Sequence, residues 1–117
     1  VCPPVEAKPV KCELFRGIPE LPMTEEHFMA HPEVGKPCNP KKCTHWGLSV
    51  WTHEDDALHA LELFPSMENW RIARGTVSHN DGVLLGTPNK RQPEHHTFWK
   101  SFGLSIVGKF SLVPKAT

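Results

Sequence analysis

The sequence predicts an α+β fold: a largely antiparallel sheet of about five or six strands, one main amphipathic helix packed on one face, and a short N-terminal helix. Three observations point there. Several short segments alternate apolar and polar residues with the two-residue period of a strand. One segment, residues 52–64, repeats apolar residues at helical spacing instead. Twelve prolines punctuate the chain, eight of them before Lys41, and proline fixes φ and removes a backbone donor, so the first third has little room for long helices. With 117 residues the chain fits one domain over residues 1–117, and four tryptophans supply the apolar area for a real core.

The elements follow in order. Residues 1–10 read as an extended lead-in, and residues 11–16 as a strand that stops at Gly17. After a proline-rich loop, Thr24 is placed to cap a short helix with Glu25 and Glu26 in its first turn, where negative charge suits the helix dipole; Pro32 ends it after His31. Residues 33–44 form a loop, and residues 45–51 a strand in which Trp46, Leu48 and Val50 share one side. Thr52 then caps the main helix, with Asp55 three residues on as in a capping box. Ala57, Leu58, Ala60, Leu61 and Phe64 give that helix its apolar face, and Pro65 stops it.

Residues 69–77 read as a strand with Trp70, Ile72 and Arg74 on one side. The Asp81-Gly82 pair signals a hairpin turn, with residues 82–86 as the returning strand. A polar loop covers 87–94, a short strand 97–99. The last strand, 103–113, alternates through Leu104, Ile106, Phe110 and Leu112, with Gly108 marking a bulge.

Thirteen basic residues balance thirteen acidic ones, which argues against a general nucleic-acid binder and against a polybasic membrane-surface protein. No apolar run approaches the roughly 18 residues of a transmembrane helix. The chain starts at Val1 and not at Met, which leaves an upstream segment open. No triphosphate-binding, dinucleotide-fold, serine-hydrolase or zinc-protease motif occurs.

Four groups of residues remain as candidates for chemistry. His27, His31, Cys38, Cys43 and His45 are imidazoles and thiols in one stretch, the usual zinc ligands, although the Cys38–Cys43 spacing is looser than a C-x2-C pair. The four cysteines allow three disulfide connectivities; Cys2 with Cys12 and Cys38 with Cys43 would pair locally, while four free thiols would suit a reducing compartment such as the cytoplasm. Glu94, His95, His96 and Thr97 put a carboxylate, imidazoles and a hydroxyl together, suited to acid–base chemistry. Adjacent strand residues face opposite ways, so only one of the two histidines would face a given pocket. Arg16-Gly17 and Arg74-Gly75 each close a strand with a planar cation suited to phosphate or carboxylate.

One order of features resembles the opening of small ADP-ribosyltransferase-like domains. A strand closes in Leu14-Phe15-Arg16-Gly17; a second strand runs Gly47-Leu48-Ser49-Val50-Trp51; a helix then begins Thr52-His53-Glu54-Asp55. The resemblance implies that Arg16 holds NAD, that Ser49 lines the same cleft, and that Glu94 or His96 acts on the transferred sugar. Three functional readings therefore stand at this point. The first is a binding or accessory module for a protein or small-molecule ligand, or for a second copy of the chain. The second is an NAD-using enzyme with Arg16, Ser49, His96 and Glu94 in one cleft. The third is a domain held together by zinc on His27, His31, Cys38, Cys43 and His45.

Overall fold

A computed structural model describes residues 1–115. Its strands form two antiparallel sheets and not one. The strands are β1 (Lys8–Pro9), β2 (Cys12–Ile18), β3 (Leu48–Val50), β4 (Arg71–Val77), β5 (Gly82–Gly86), β6 (His96–Lys100) and β7 (Phe110–Leu112), with one α-helix among the described residues, α1 (Glu54–Glu62). The four-stranded sheet runs β1-β5-β6-β3, and the three-stranded sheet runs β2-β4-β7. No helix among the described residues is long and apolar enough to cross a membrane.

The expected hairpin is where the single-sheet reading fails. Asp81-Gly82 does make a turn, with the Asp81 N–H donating to the Ser78 carbonyl at 2.9 Å. The Asp81 carboxylate accepts from the Ser78 N–H at 2.7 Å, and that bond is the first cause of its lowered pKa, with Lys109 adding to it. Yet β5 leaves this turn to pair with β1 and β6, while β4 pairs with β2 and β7. The turn passes the chain from one sheet to the other.

Three other expectations shift. The N-terminal helix is two short 3-10 turns, Glu25–Phe28 and His31–Val34, since prolines and Gly35 leave no run long enough for an α-helix. The strand over 45–51 shortens to β3, because Cys43–Trp46 is itself a 3-10 turn. The strand over 103–113 shortens to β7 behind a 3-10 turn, Val107–Lys109, so Gly108 lies in that turn and marks no bulge. Helix α1 starts after His53 with no side-chain cap, and three acids in its first turn face its dipole.

The core lies between the sheets. Leu14, Ile18, Ala73, Val77 and Phe110 from the three-stranded sheet meet Leu48, Val50 and Phe98 from the other, with Phe28 and Ile106 completing the cluster. Helix α1 packs on the outer side of β2, where Ala57 and Ala60 meet Phe15, Trp51 and Ile72. Leu58, expected on the apolar face of α1, is instead 42% exposed.

One backbone bridge ties the two sheets, and one disulfide ties the lead-in to the turn before β3. Phe15 and Trp51 exchange both backbone hydrogen bonds, at 2.8 and 2.9 Å, so β2 touches the end of β3 at a single bridge. Cys2 is bonded to Cys43, the pairing that joins the lead-in to the turn before β3. Both locally paired schemes are therefore replaced by a long-range one, and Cys12 and Cys38 are free.

Candidate active site

The site arises from how β2 and β3 part. An antiparallel ladder continued past the Phe15–Trp51 bridge would next bring the Gly17 N–H to the Ser49 carbonyl. The strands diverge instead, and the Arg16 side chain fills the gap. Its Nη1 donates to the Ser49 carbonyl at 2.8 Å, and its Nε donates to the His27 carbonyl at 2.7 Å. Arg16 shares the inward face of β2 with Leu14 and Ile18, both core residues, so a cation occupies a position the strand's alternation assigns to an apolar side chain.

The opening left by the divergence is a cavity of about 390 Å³, within the range of small-ligand pockets. Arg16, Gly17 and Ser49 line it together with Trp51, Trp70 and His95. Gly17 allows close packing on the helix side of β2: a Cβ there would stand 3.0 Å from Trp70 Cε3 and 3.1 Å from Leu61 Cδ2, tighter than an ordinary contact. The glycine thus lets Trp70 close over the strand and wall one side of the cavity.

Electrostatically, the cavity is a cation's side of the molecule. Burial lowers the Arg16 pKa to about 10, so the guanidinium still carries its charge at neutral pH. Among the described residues no carboxylate pairs with it, and its two hydrogen bonds go to backbone carbonyls. Lys36, His31 and His45 also line the cavity, against Glu26 as the acid. The pKa of His31 is lowered first by burial, then by Lys36, Arg16 and His45, which shows how closely these groups gather. A half-buried cation without a carboxylate favours an anionic ligand, since burial strengthens the attraction that water would screen.

A second set of polar groups faces Arg16 across Ser49. His95 Nε2 lies 3.0 Å from Ser49 Oγ. On the other side of the ring, Nδ1 lies 3.1 Å from the Thr87 carbonyl and 2.9 Å from Thr87 Oγ1, which is itself 2.8 Å from Thr97 Oγ1. The Trp51 ring meets the imidazole edge-on, with centroids 5.6 Å apart. Burial lowers the His95 pKa, opposed by the bond to the Thr87 carbonyl and aided by His96. At neutral pH the ring is therefore neutral.

No family model matches the chain, and neither does any curated protein or any solved structure. The reading of the site rests on its own geometry.

That geometry sorts the candidates. Arg16 and Ser49 are brought together, as the NAD-using reading requires. Glu94 and His96 are not: Glu94 is exposed, His96 Nδ1 lies 2.9 Å from the Glu94 carbonyl, and neither lines the cavity. His95 occupies the place expected of His96. It shares the strand face of Thr97, which pairs opposite Ser49, whereas His96 shares the face of Phe98, a core residue. The zinc set is not assembled either. Cys43 is committed to Cys2, His27 Nδ1 accepts from the Thr24 N–H at 3.1 Å, and His45 Nδ1 accepts from the Asn39 N–H at 2.9 Å. Among the described residues no three His, Cys, Asp or Glu side chains are grouped to hold a metal ion. Arg74 is exposed and sits 3.8 Å from Glu13, a solvated surface pair of little energetic consequence.

The residues that the sequence did not point to are Thr87, Trp70 and Lys36. Thr87 lay in a polar loop, and nothing local distinguishes its hydroxyl from its neighbours. Trp70 carried a usable signal, since a tryptophan just before a strand has to pack somewhere, but its partner Gly17 is far away in the chain.

Proposed function

We propose that this domain binds NAD in the cleft between β2 and β3 and acts on its nicotinamide–ribose bond. The observation that carries the reading is the Arg16 guanidinium, charged, half-buried and without a carboxylate partner among the described residues, held on the Ser49 backbone carbonyl at the point where the two strands separate. A pyrophosphate supplies the missing anion, and arginine's planar fork suits phosphate oxygens. The half-buried Trp70 offers aromatic surface to a planar ring, and the exposed Ser49 hydroxyl offers a polar contact to a ribose or carboxamide. The order Arg16, then Ser49, then a helix is the one that resembles ADP-ribosyltransferase-like domains.

One observation favours a second reading, a binding module that holds its ligand without consuming it. Glu94, the carboxylate that the resemblance assigns to the sugar, stands away from the cleft.

Tryptophan fluorescence tests the binding claim, because two of the four tryptophans line the cleft. Titration with NAD is expected to give saturable quenching. ADP-ribose, which keeps the pyrophosphate, is expected to compete, and nicotinamide alone to compete far more weakly. A signal that stays linear to millimolar NAD contradicts the reading.

A further inference from the structure

We propose that His95 is the general base of this cleft and that the group it activates is uncharged, a water molecule or another hydroxyl, and not the cationic side chain of an arginine or lysine. The inference rests on the NAD-binding reading and adds to it the acceptor and the proton path.

The tautomer of His95 follows from its partners. The Thr87 carbonyl faces Nδ1 at 3.1 Å, and a carbonyl can only accept, so Nδ1 carries the proton. Thr87 Oγ1, 2.9 Å from the same nitrogen, shares that proton as an acceptor and gives its own to Thr97 Oγ1 at 2.8 Å. Nε2 is left with a lone pair, aimed at Ser49 Oγ 3.0 Å away. Ser49 is exposed while the ring behind it is half-buried, so the hydroxyl is the part of the pair a solvent molecule or acceptor reaches. The Thr87 N–H also donates to the His95 carbonyl at 2.9 Å, which closes the loop and fixes the ring's distance from Ser49.

The identity of the acceptor follows from charge. The charged and titratable groups facing His95 from the other elements of the cleft are Arg16, Glu26, His27, His31, Lys36 and His45; from its own strand, His96. Two permanent cations, the half-buried Arg16 and the exposed Lys36, stand against one carboxylate, the exposed Glu26. A guanidinium or ammonium has no carboxylate beside His95 to receive it, since Glu26 is the one acid that lines the cleft. Water or a neutral hydroxyl needs no such partner.

The step balances as a hydrolysis. A water oxygen forms a bond to the ribose C1′ as the C1′–nicotinamide nitrogen bond breaks. The nitrogen keeps the bonding pair, which converts the pyridinium of NAD to neutral nicotinamide. The water's proton passes to Ser49 Oγ while the Ser49 proton passes to His95 Nε2. The products are ADP-ribose and nicotinamide.

The test is nicotinamide release from NAD by the purified chain, followed by chromatography across pH 5–8.5, with NAD affinity measured on the same samples. Wild-type rate is expected to hold at neutral pH and to fall only below the ordinary histidine value of 6.5, because burial lowers this pKa and the base works in its neutral form. His95→Gln is expected to lower the rate about 10²- to 10⁴-fold, the usual size of a general-base contribution, to lose the acid limb, and to leave NAD affinity within a few-fold. Ser49→Ala is expected to lower the rate as well, and serves if the His95 variant unfolds. Methanol is expected to capture ADP-ribose and agmatine, a guanidinium, to capture none. Capture by agmatine overturns the acceptor class. A wild-type rate and pH profile in His95→Gln overturns the base. NAD bound but never cleaved overturns the inference and leaves the binding claim standing, whereas no NAD binding removes both.

Discussion

Phe98→Ala is expected to destabilise the domain by about 3–5 kcal/mol, enough to bring a protein of this size close to its unfolding threshold. Phe98 has no exposed surface and sits in the cluster that joins the two sheets. It pairs with Leu48 on one side and Leu84 on the other, in the strand that carries His96 and Thr97 at its start. Truncation leaves a cavity between sheets whose neighbours are strand residues held by ladders on both flanks, so little collapse can fill it. The comparison that gives the number its meaning is Phe102→Ala. Phe102 is fully exposed, and the same chemical change there is expected to alter stability by no more than about 0.5 kcal/mol. Thermal unfolding of the two variants measures the difference, expected as a drop on the order of 10 °C or more for Phe98→Ala and almost none for Phe102→Ala. Similar midpoints would mean that the inter-sheet core is not where Phe98 lies.

The second large effect is at Arg16, and it has two parts. Arg16→Met keeps most of the side chain's length and removes its donors. The His27 and Ser49 carbonyls then lose their partner, at about 1–3 kcal/mol for each one left dry and less wherever water reaches it. Ligand affinity falls as well. A hydrogen bond to a charged group contributes about 1.5–3 kcal/mol, so NAD binding is expected to weaken by roughly 10- to 150-fold. Arg16→Lys separates the parts. Lysine keeps the charge but cannot span both carbonyls with one planar group, so it is expected to recover some affinity and little of the stability. Calorimetry on the three proteins reads both quantities. If Arg16→Met loses stability with affinity unchanged, Arg16 is a clasp between β2, β3 and the 25–28 turn and does not touch the ligand.

Much of the fold was legible because local pattern decides it. The helix over 52–64 contains the observed α1, since five apolar residues at helical spacing between a polar start and Pro65 admit little else. Strands β2 and β4 fall within a residue or two of their expected bounds. What sequence did not reveal was which strands pair. An Asp-Gly turn looks the same whether the chain returns along its own strand or crosses to another sheet, and the difference lies in distant partners such as β1 and β6. The disulfide was hidden for the same reason, because Cys2 and Cys43 are 41 residues apart.

At the site, Arg16 and Ser49 were found from the order of elements, although the expected strand ends are not there: β2 continues through Arg16 and Gly17 to Ile18, and Arg74 and Gly75 lie in the middle of β4. The step that failed was parity. His95 and His96 are adjacent, and choosing between them requires knowing which face of β6 looks into the cleft. Phe98, buried in the inter-sheet core, marks the opposite face and so excludes His96. The alternation of Leu14, Arg16 and Ile18 carried a further signal: an arginine on an apolar stripe needs a reason.

Backbone amide chemical shifts, followed by NMR as NAD is titrated into the isotope-labelled protein, test the central claim most directly. The account predicts that the largest shifts gather at Arg16, Gly17, Ser49, Trp51 and His95, where β2 and β3 part. Leu58, Glu62 and Val113, which line the neighbouring groove and not the cleft, are expected to stay silent. Shifts centred on that groove, or none that saturate, would contradict it.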